Sequence, residues 1–180
     1  RRICGNWRLS WWNNMVFSTV LLAAGYATRL YPLTKDRPKS LLPLGEGVVL
    51  TPIVEAVTRL PHLSRTLLVT NHRFATQFQT WASRQTVKVE IVDDGTSTPE
   101  DRLGAIGDLQ MCVSKLPPSD DVLVVGTDNL FSWSLDGFIT FANAHRSAAS
   151  IGVWEVPSLE DAKRFGVVEL DGTGRVKRLV

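Results

Sequence analysis

The stretch LLAAGYATRLYPLTKDRPKSLLPLG, residues 21–45, decides how this chain is interpreted. It starts as the end of an apolar strand, passes through three small residues, Ala-Ala-Gly, and continues as a polar loop that carries Arg29 and Lys39. Small residues at the carboxyl end of a strand let a ligand approach backbone N–H groups, and ligands bind at that edge of an open α/β sheet. The two cations suit a polyphosphate, with Arg29 as a bidentate clamp and Lys39 as a mobile point charge. Taken alone, these residues also fit an ordinary solvated loop.

The apolar segments around this stretch alternate between strand-like and helix-like periods, with the spacing of βα units. This alternation predicts an α/β fold, a Rossmann-like three-layer α/β/α arrangement with a mostly parallel central sheet. The predicted strands are Val16–Ala23, Thr66–Thr70, Val87–Val92, Asp121–Gly126 and Ala149–Val156, with a hairpin of Val167–Leu170 and Val176–Val180. Helices lie between the first four strands, and two more are predicted after Ser134 and Ser158.

Three local patterns give more specific expectations. Thr51 is expected to cap the first helix, with Pro52 at the first helical position. The continuous apolar run in Asp121–Gly126 predicts a central strand that is buried on both faces. The helix that begins near Gly104 is expected to bury one stripe, formed by Leu109, Cys112, Val113 and Leu116.

The composition is that of a globular protein: 44% of the 180 residues are hydrophobic, 21% are charged, and the net charge is only +2. These values exclude disordered and fibrous classes, and we expect no nucleic acid partner. The longest apolar stretch is far below the roughly 18 residues that a membrane span needs, so no membrane partner is expected either. The two cysteines, Cys4 and Cys112, lack the spacing of a zinc site or a disulfide framework, which favours a cytoplasmic location.

The first fourteen residues differ from the rest of the chain. They contain three of the six tryptophans and three arginines but no acid, and no helix or strand period organises them. We therefore expect residues 1–14 to be a non-native or disordered leader before a start at Met15, and residues 15–180 to form one domain. A signal peptide is the alternative, because an apolar stretch follows Arg1 and Arg2.

Residues 21–45 resemble the amino-terminal signature of the sugar nucleotidyltransferases, approximately LAxGxGTRLxPLT followed by PKxLLP. The matching residues are Leu22, Ala23, Gly25, Thr28, Arg29, Leu30, Pro32, Leu33, Thr34, Pro38, Lys39, Leu41, Leu42 and Pro43. One departure is Ala27, which stands where most of the family has a second glycine and restricts the backbone at positive φ. The resemblance extends over roughly residues 16–180 and implies the GT-A-like fold of nucleotide-diphospho-sugar transferases.

The resemblance also implies a set of site residues. Gly104 would touch the nucleotide base, and Gly166 would contact the sugar through its amide. Asp128 would hold the catalytic Mg²⁺, although Thr127 is an extra residue between the glycine and the aspartate of the family's GDN motif. Without the resemblance, Asp128 is an ordinary turn residue and Gly104 an ordinary helix start. The implied catalytic residues are Arg29, Lys39 and Asp128, and the implied nucleotide-binding residues are Ala23, Ala24, Gly25, Tyr26, Ala27, Thr28 and Gly104.

The activity implied by the resemblance is Mg²⁺-dependent transfer of NMP from an NTP to a sugar 1-phosphate, which gives an NDP-sugar and pyrophosphate. The family's last matching strand leads into a Glu-Lys-Pro motif, and a later aspartate supplies a second metal ligand. We therefore expect a fragment that lacks the C-terminal part of the sheet. A homo-oligomer is a further expectation. Two alternatives stay open: a non-sugar acceptor such as phosphocholine or a molybdenum cofactor, and a non-catalytic subunit that binds nucleotide or sugar phosphate.

Overall fold

The architecture is given by a computed structural model, which describes residues 16–131, 133–156, 158–163 and 165–179. The expected leader, residues 1–14, lies outside the described residues. Two compact units are present, Arg1–Asn143 and Ala144–Val180. Among the helices that the structure describes, none is both long enough and apolar enough to cross a membrane.

The first unit is built on a four-stranded parallel sheet. The strands, in chain order, are β1 (Phe17–Leu22), β2 (Pro43–Leu44), β3 (Gly47–Val48), β4 (Leu63–Thr70), β5 (Glu90–Asp93) and β6 (Asp121–Gly126). The helices are α1 (Leu50–Thr58), α2 (His72–Ala82), α3 (Gly104–Val113) and α4 (Leu135–Ala144), with short 3-10 turns at Thr28–Leu30 and Lys39–Leu41. The parallel strands lie in the order β5-β4-β1-β6, and β2 pairs with β3 in a separate small sheet.

Apolar clusters on the two faces of the sheet produce three layers. On one face, α1, α2 and α4 pack against Phe17 and Leu21 of β1. On the other face, Cys112 of α3 packs against Val20 and its register partner Leu67. Successive residues of β1 therefore point into different cores, which explains the continuous apolar run. The predicted three-layer α/β/α fold is confirmed.

Three local predictions need correction. The first helix begins at Leu50, so Thr51 lies inside its first turn; the Thr51 hydroxyl accepts a hydrogen bond from Val48 N (3.1 Å), before the helix, and does not cap it. Val113 is exposed, since it lies about 100° around α3 from the buried Cys112. In β6, Val122 and Val124 are 37% and 41% exposed, so burial on both faces is wrong in the described part of the chain. The physical reason is that α3 packs over β1 and β4, leaving β6 covered on one face only.

The second unit contains a short helix α5 (Leu159–Ala162) and the antiparallel strands β7 (Val168–Leu170) and β8 (Val176–Leu179). The Asp171 carboxylate closes the turn by accepting from Thr173 N at 2.8 Å and Arg175 N at 3.0 Å. The predicted hairpin is confirmed. The predicted strand Ala149–Val156 is wrong: the described residues there form no strand, because an extended segment needs a neighbour for its N–H and C=O groups.

Candidate active site

The loop that follows β1 lies at the carboxyl edge of the parallel sheet, and neighbouring strands hold its inner side. Ala23 N donates to Val69 O at 2.9 Å, and Ala24 O accepts from Asn71 Nδ2 at 3.0 Å. Ala23, Ala24 and Tyr26 are buried, whereas Gly25 is exposed. A Cβ added at Gly25 would meet nothing within 4 Å, and the φ of this residue is not positive. The protein interior therefore gives no reason for a glycine here, and the space beside it is open to a ligand.

Ala27 adopts the left-handed conformation, with φ 48° and ψ 40°. This conformation costs an alanine roughly 1–2 kcal/mol relative to the right-handed region. The Thr34 hydroxyl, itself fully buried, donates to Ala27 O at 2.8 Å, and Leu30 N donates to the same oxygen at 2.9 Å. The two hydrogen bonds hold the strained turn, so the loop keeps a glycine-like geometry without the glycine.

The structure brings Lys39 and Asp128 together, although they are 89 residues apart in the sequence. Lys39 begins a 3-10 turn and Asp128 follows β6, with Lys39 Nζ 3.5 Å from Asp128 Oδ2. The two side chains are 39% and 59% exposed. An exposed pair at this distance contributes little stability, so both groups stay free to exchange partners with an incoming ligand.

Buried hydroxyl groups fix the two backbones that carry this pair. Thr127 N and Thr127 Oγ1 both donate to Leu22 O, at 3.2 and 2.8 Å. Because the Thr127 hydroxyl proton is used in that bond, the Ser40 hydroxyl donates to Thr127 Oγ1 at 2.7 Å. Ser40 adjoins Lys39 and Thr127 adjoins Asp128. The extra residue of the motif is therefore built into the sheet edge, which sequence reasoning missed.

Gly126 makes room for the turn that holds Asp128. A Cβ at Gly126 would lie 2.7 Å from Asn129 Nδ2 and 3.2 Å from Asp128 Oδ1. Asn129 Nδ2 in turn donates to Asp128 Oδ1 at 3.2 Å. A larger residue at position 126 would require the exposed Asn129 side chain to move, and with it the hydrogen bond that Asn129 donates to Asp128.

The remaining predicted residues are placed differently. Arg29 is exposed, and in the part of the chain that the structure describes it makes no hydrogen bond or ion pair. Thr28 beside it is exposed as well. Gly104 is exposed at the start of α3 with φ +74°, a conformation that by itself favours glycine. Gly166 is exposed in the second unit. The geometry thus joins Lys39 to Asp128, and no described hydrogen bond or ion pair joins Arg29 or Gly104 to either of them.

The donor chemistry of Asp128 fits a magnesium ion that takes only one carboxylate from the protein. Its oxygens are hard ligands, and they are exposed at the sheet edge beside a lysine that phosphates would attract. Over the described ranges, no three His, Cys, Asp or Glu side chains cluster into a metal cage. Mg²⁺ at nucleotide sites usually takes one or two carboxylates and completes its shell with phosphates and water.

A second group of polar residues is buried beneath the loop. Tyr26 OH lies 3.1 Å from Thr96 Oγ1, and Asp94 Oδ1 accepts from Thr96 N at 2.7 Å. Asp108 of α3 is only 5% exposed, and its Oδ1 has no hydrogen-bond partner among the described residues. Burial, and then the nearby charge of Asp94, raise the pKa of Asp108 to about 6. The sequence gives one signal for its burial: Asp108 stands four residues before Cys112, so both lie on the same face of α3.

Comparison with known proteins gives a consistent result. Residues 18–180 match the family model described as nucleotidyl transferase. A protein of Sulfolobus acidocaldarius named as a mannose-1-phosphate guanyltransferase is 30% identical over 157 residues, which are 86% of this chain and 41% of that protein. The catalytic subunit beta of a Danio rerio mannose-1-phosphate guanylyltransferase is 26% identical over 165 residues, 89% of this chain and 44% of that one. This chain therefore spans less than half the length of these relatives.

The fold is shared with solved structures at low sequence identity. A UDP-glucose pyrophosphorylase complexed with UDP-glucose superposes with a TM-score of 0.73 at 17% identity, over 92% of this chain and 69% of that one. This similarity agrees with the three-layer architecture described above.

Proposed function

The chain belongs to the nucleotidyl transferase family, and from this premise we propose that it transfers the NMP group of an NTP to a sugar 1-phosphate. The products are an NDP-sugar and pyrophosphate. The observation that supports the proposal is the approach of Lys39 Nζ to Asp128 Oδ2, 3.5 Å, at the carboxyl edge of the sheet. A cation and a hard carboxylate together at that edge suit phosphates and their metal ion. We propose further that residues 15–180, which include residues of both compact units, all belong to the nucleotidyltransferase, and that the protein acts in the cytoplasm.

In the proposed reaction, an oxygen of the sugar phosphate attacks the α-phosphorus of the NTP in line. The bond from the α-phosphorus to the bridging oxygen breaks, and pyrophosphate leaves with the electron pair. No general base is needed because the attacking phosphate is already ionised. Two anions approach each other, so catalysis consists mainly of positioning and charge neutralisation.

Each residue has one task in this scheme. The loop 23–28 binds the triphosphate, Gly104 lies against the base, and Gly166 contacts the sugar. Lys39 neutralises phosphate charge throughout, while Arg29 meets the charge that grows on pyrophosphate. Asp128 would hold Mg²⁺, which supplies Lewis-acid neutralisation of phosphate oxygens when bound.

The acceptor and the nucleotide are tested together. The names of the two relatives support a sugar 1-phosphate acceptor, and they make GTP with mannose 1-phosphate the first pair to assay. Pyrophosphate release is measured in the longest natural protein that contains this chain, for five NTPs, with sugar 1-phosphates and with phosphocholine. The proposal is supported if pyrophosphate is released with a sugar 1-phosphate, and if Asp128→Ala abolishes this release while its melting temperature stays unchanged. Release with phosphocholine alone indicates the non-sugar acceptor, and nucleotide binding without release indicates a regulatory subunit.

A further inference from the structure

Two buried hydrogen bonds hold the loop on either side of Gly25. On the amino-terminal side, Asn71 Nδ2 donates to Ala24 O at 3.0 Å, and Asn71 is fully buried. On the carboxyl-terminal side, Tyr26 OH meets Thr96 Oγ1 at 3.1 Å, with both residues 5% exposed. Gly25 between them is exposed to open space. The point where a ligand can approach the loop is therefore the point between two buried attachments.

Two hydrogen bonds fix the backbone of Thr96. Its N–H donates to Asp94 Oδ1 at 2.7 Å, and its carbonyl accepts from His72 N at 2.8 Å. These bonds hold the Thr96 backbone, in the loop after β5, against the first residue of α2, independently of its hydroxyl. The Thr96 hydroxyl thus has one described partner, Tyr26 of the loop. Through this bond the fixed segment after β5 holds the loop in place.

Burying the Tyr26 hydroxyl costs free energy that a phenylalanine at this position would avoid, so the hydroxyl needs a role that phenylalanine could not fill. A buried hydroxyl without a partner is destabilising, and a net hydrogen bond returns only about 0.5–1.5 kcal/mol. Asn71 also caps α2 by accepting from Phe74 N at 3.2 Å, so its presence has a second, structural cause. Thr96 Oγ1 has no such second cause among the described residues.

We infer that Thr96 is a positioning residue for the NTP, acting through Tyr26 on the backbone of loop 23–28. The inference rests on the proposed function. It places the effect on the nucleotide side of the reaction: loss of the Tyr26–Thr96 bond should raise KM for the NTP and lower kcat, and should leave KM for the acceptor unchanged. A loop that is merely less stable would lower the melting temperature without this split.

The test uses isosteric variants and a matched control. Thr96→Val and Tyr26→Phe each remove one hydroxyl of the pair, and Thr96→Ser restores the hydroxyl. Thr19→Val is the control, because Thr19 is fully buried in β1 and its Oγ1 has no described hydrogen-bond partner. It makes the same chemical change at another buried threonine, in β1, without removing a described hydrogen bond.

Thr96→Val and Tyr26→Phe should each raise KM for the NTP about three- to tenfold, and the double variant should do no more than either alone. Thr96→Ser and Thr19→Val should match the wild type. Hydrogen exchange of amides 24–28 should be faster in Thr96→Val and unchanged in Thr19→Val. Unchanged exchange and unchanged KM for the NTP in Thr96→Val would overturn the inference.

Two further outcomes separate this inference from the proposed function. If the wild-type protein neither binds nor turns over any NTP, the proposed function fails, and the positioning inference is overturned with it even when amides 24–28 loosen in Thr96→Val. If the wild type turns over NTP and Thr96→Val changes only its melting temperature, the proposed function stands and the positioning inference is wrong.

Discussion

The two cationic parts of the proposed site are supported in opposite ways. Lys39 lies beside Asp128, and the residues next to them, Ser40 and Thr127, are joined by a buried hydrogen bond of 2.7 Å between their hydroxyl groups. We call these four residues the Lys39–Asp128 corner. Arg29 lies on an exposed turn and makes no hydrogen bond or ion pair with the rest of the described chain. The first charge is placed before any ligand arrives, whereas the second must be placed by the ligand. If the proposed function holds, we expect Lys39 to act throughout the reaction and Arg29 to act late.

The largest expected effect comes from removing Arg29. Arg29→Ala should lower kcat by about 10²–10³, the scale for losing one charge stabiliser of a transition state. Arg29→Lys should recover little, because an ammonium cannot reproduce the guanidinium fork. Lys39→Ala should differ by also raising KM for the NTP. The measurement is steady-state kinetics of pyrophosphate release, with Arg59→Ala, an exposed arginine directly after α1, as the control.

Wild-type kcat and kcat/KM in Arg29→Ala would contradict the contrast between the two cations. The 3-10 turn Thr28–Leu30 would then be a solvated surface feature, and a non-catalytic nucleotide-binding subunit would become the better interpretation.

The next effect concerns stability and tests the buried side of the loop. The pKa of Asp108 is raised to about 6, above the value near 3.9 of an unfolded aspartate. A raised folded pKa means that the folded state binds the proton more tightly. The contribution of Asp108 is therefore fully present below about pH 4, falls as pH rises towards 6, and stays low above that. Over this window the loss should be about 1–3 kcal/mol.

Asp108→Asn removes the titration and keeps the side-chain shape. The difference in unfolding free energy between variant and wild type, measured in urea from pH 4 to pH 8, should grow in favour of the variant and level off above pH 6. Taking this difference between variant and wild type removes the contributions of the other carboxylates, which are the same in both proteins. Glu100→Gln, an exposed carboxylate with no hydrogen bond or ion pair to the described part of the chain, provides the control. A flat difference for Asp108→Asn would show that this carboxyl titrates normally.

A smaller effect should follow from weakening the supported corner itself. Ser40→Ala removes the hydroxyl that donates to Thr127, while Thr127 keeps its own bonds to Leu22 O. We expect kcat to fall about tenfold or less, since one net hydrogen bond is worth about 1 kcal/mol. Ser83→Ala, an exposed serine that follows α2, is the matched control. If Ser40→Ala keeps full kcat at high substrate, the buried bond does not position the Lys39–Asp128 corner.

The parts of the fold that sequence patterns predicted are those whose burial is decided locally. β1, β4 and the buried Phe74 and Phe78 of α2 follow directly from apolar periodicity. The exposure of Val122 and Val124 could not be predicted, because it depends on which helix covers β6. The absence of a strand in residues 149–156 has the same origin, since strand formation depends on a neighbour elsewhere in the chain.

The site was predictable only where charge or glycine marked it. Lys39 was found from the charge of the loop, Asp128 was found through the resemblance, and the structure brings the two together. Ser40, Thr127 and Thr96 were missed as supporting residues, because serine and threonine are common in loops and their burial arises only when distant segments meet. The residues that carry charge are thus visible in the sequence, whereas those that hold them are visible in the structure.

The smallest expected effect lies at Ala27, between the supported and unsupported halves of the loop. Ala27→Gly should relieve about 1–2 kcal/mol of left-handed strain, offset by roughly 0.5–1 kcal/mol of extra chain entropy in the unfolded state. The net gain of about 0.5 kcal/mol corresponds to roughly 1–2 °C in melting temperature. Ala56→Gly within α1 should instead lower the melting temperature, because that backbone is helical and no strain is relieved.

Since the Thr34 hydroxyl already holds Ala27 O at 2.8 Å, KM for the NTP should stay within about twofold of wild type in Ala27→Gly. A lower melting temperature in Ala27→Gly would mean that the alanine stabilises the loop, and a large rise in KM would mean that its stiffness, rather than the buried bonds, positions the nucleotide.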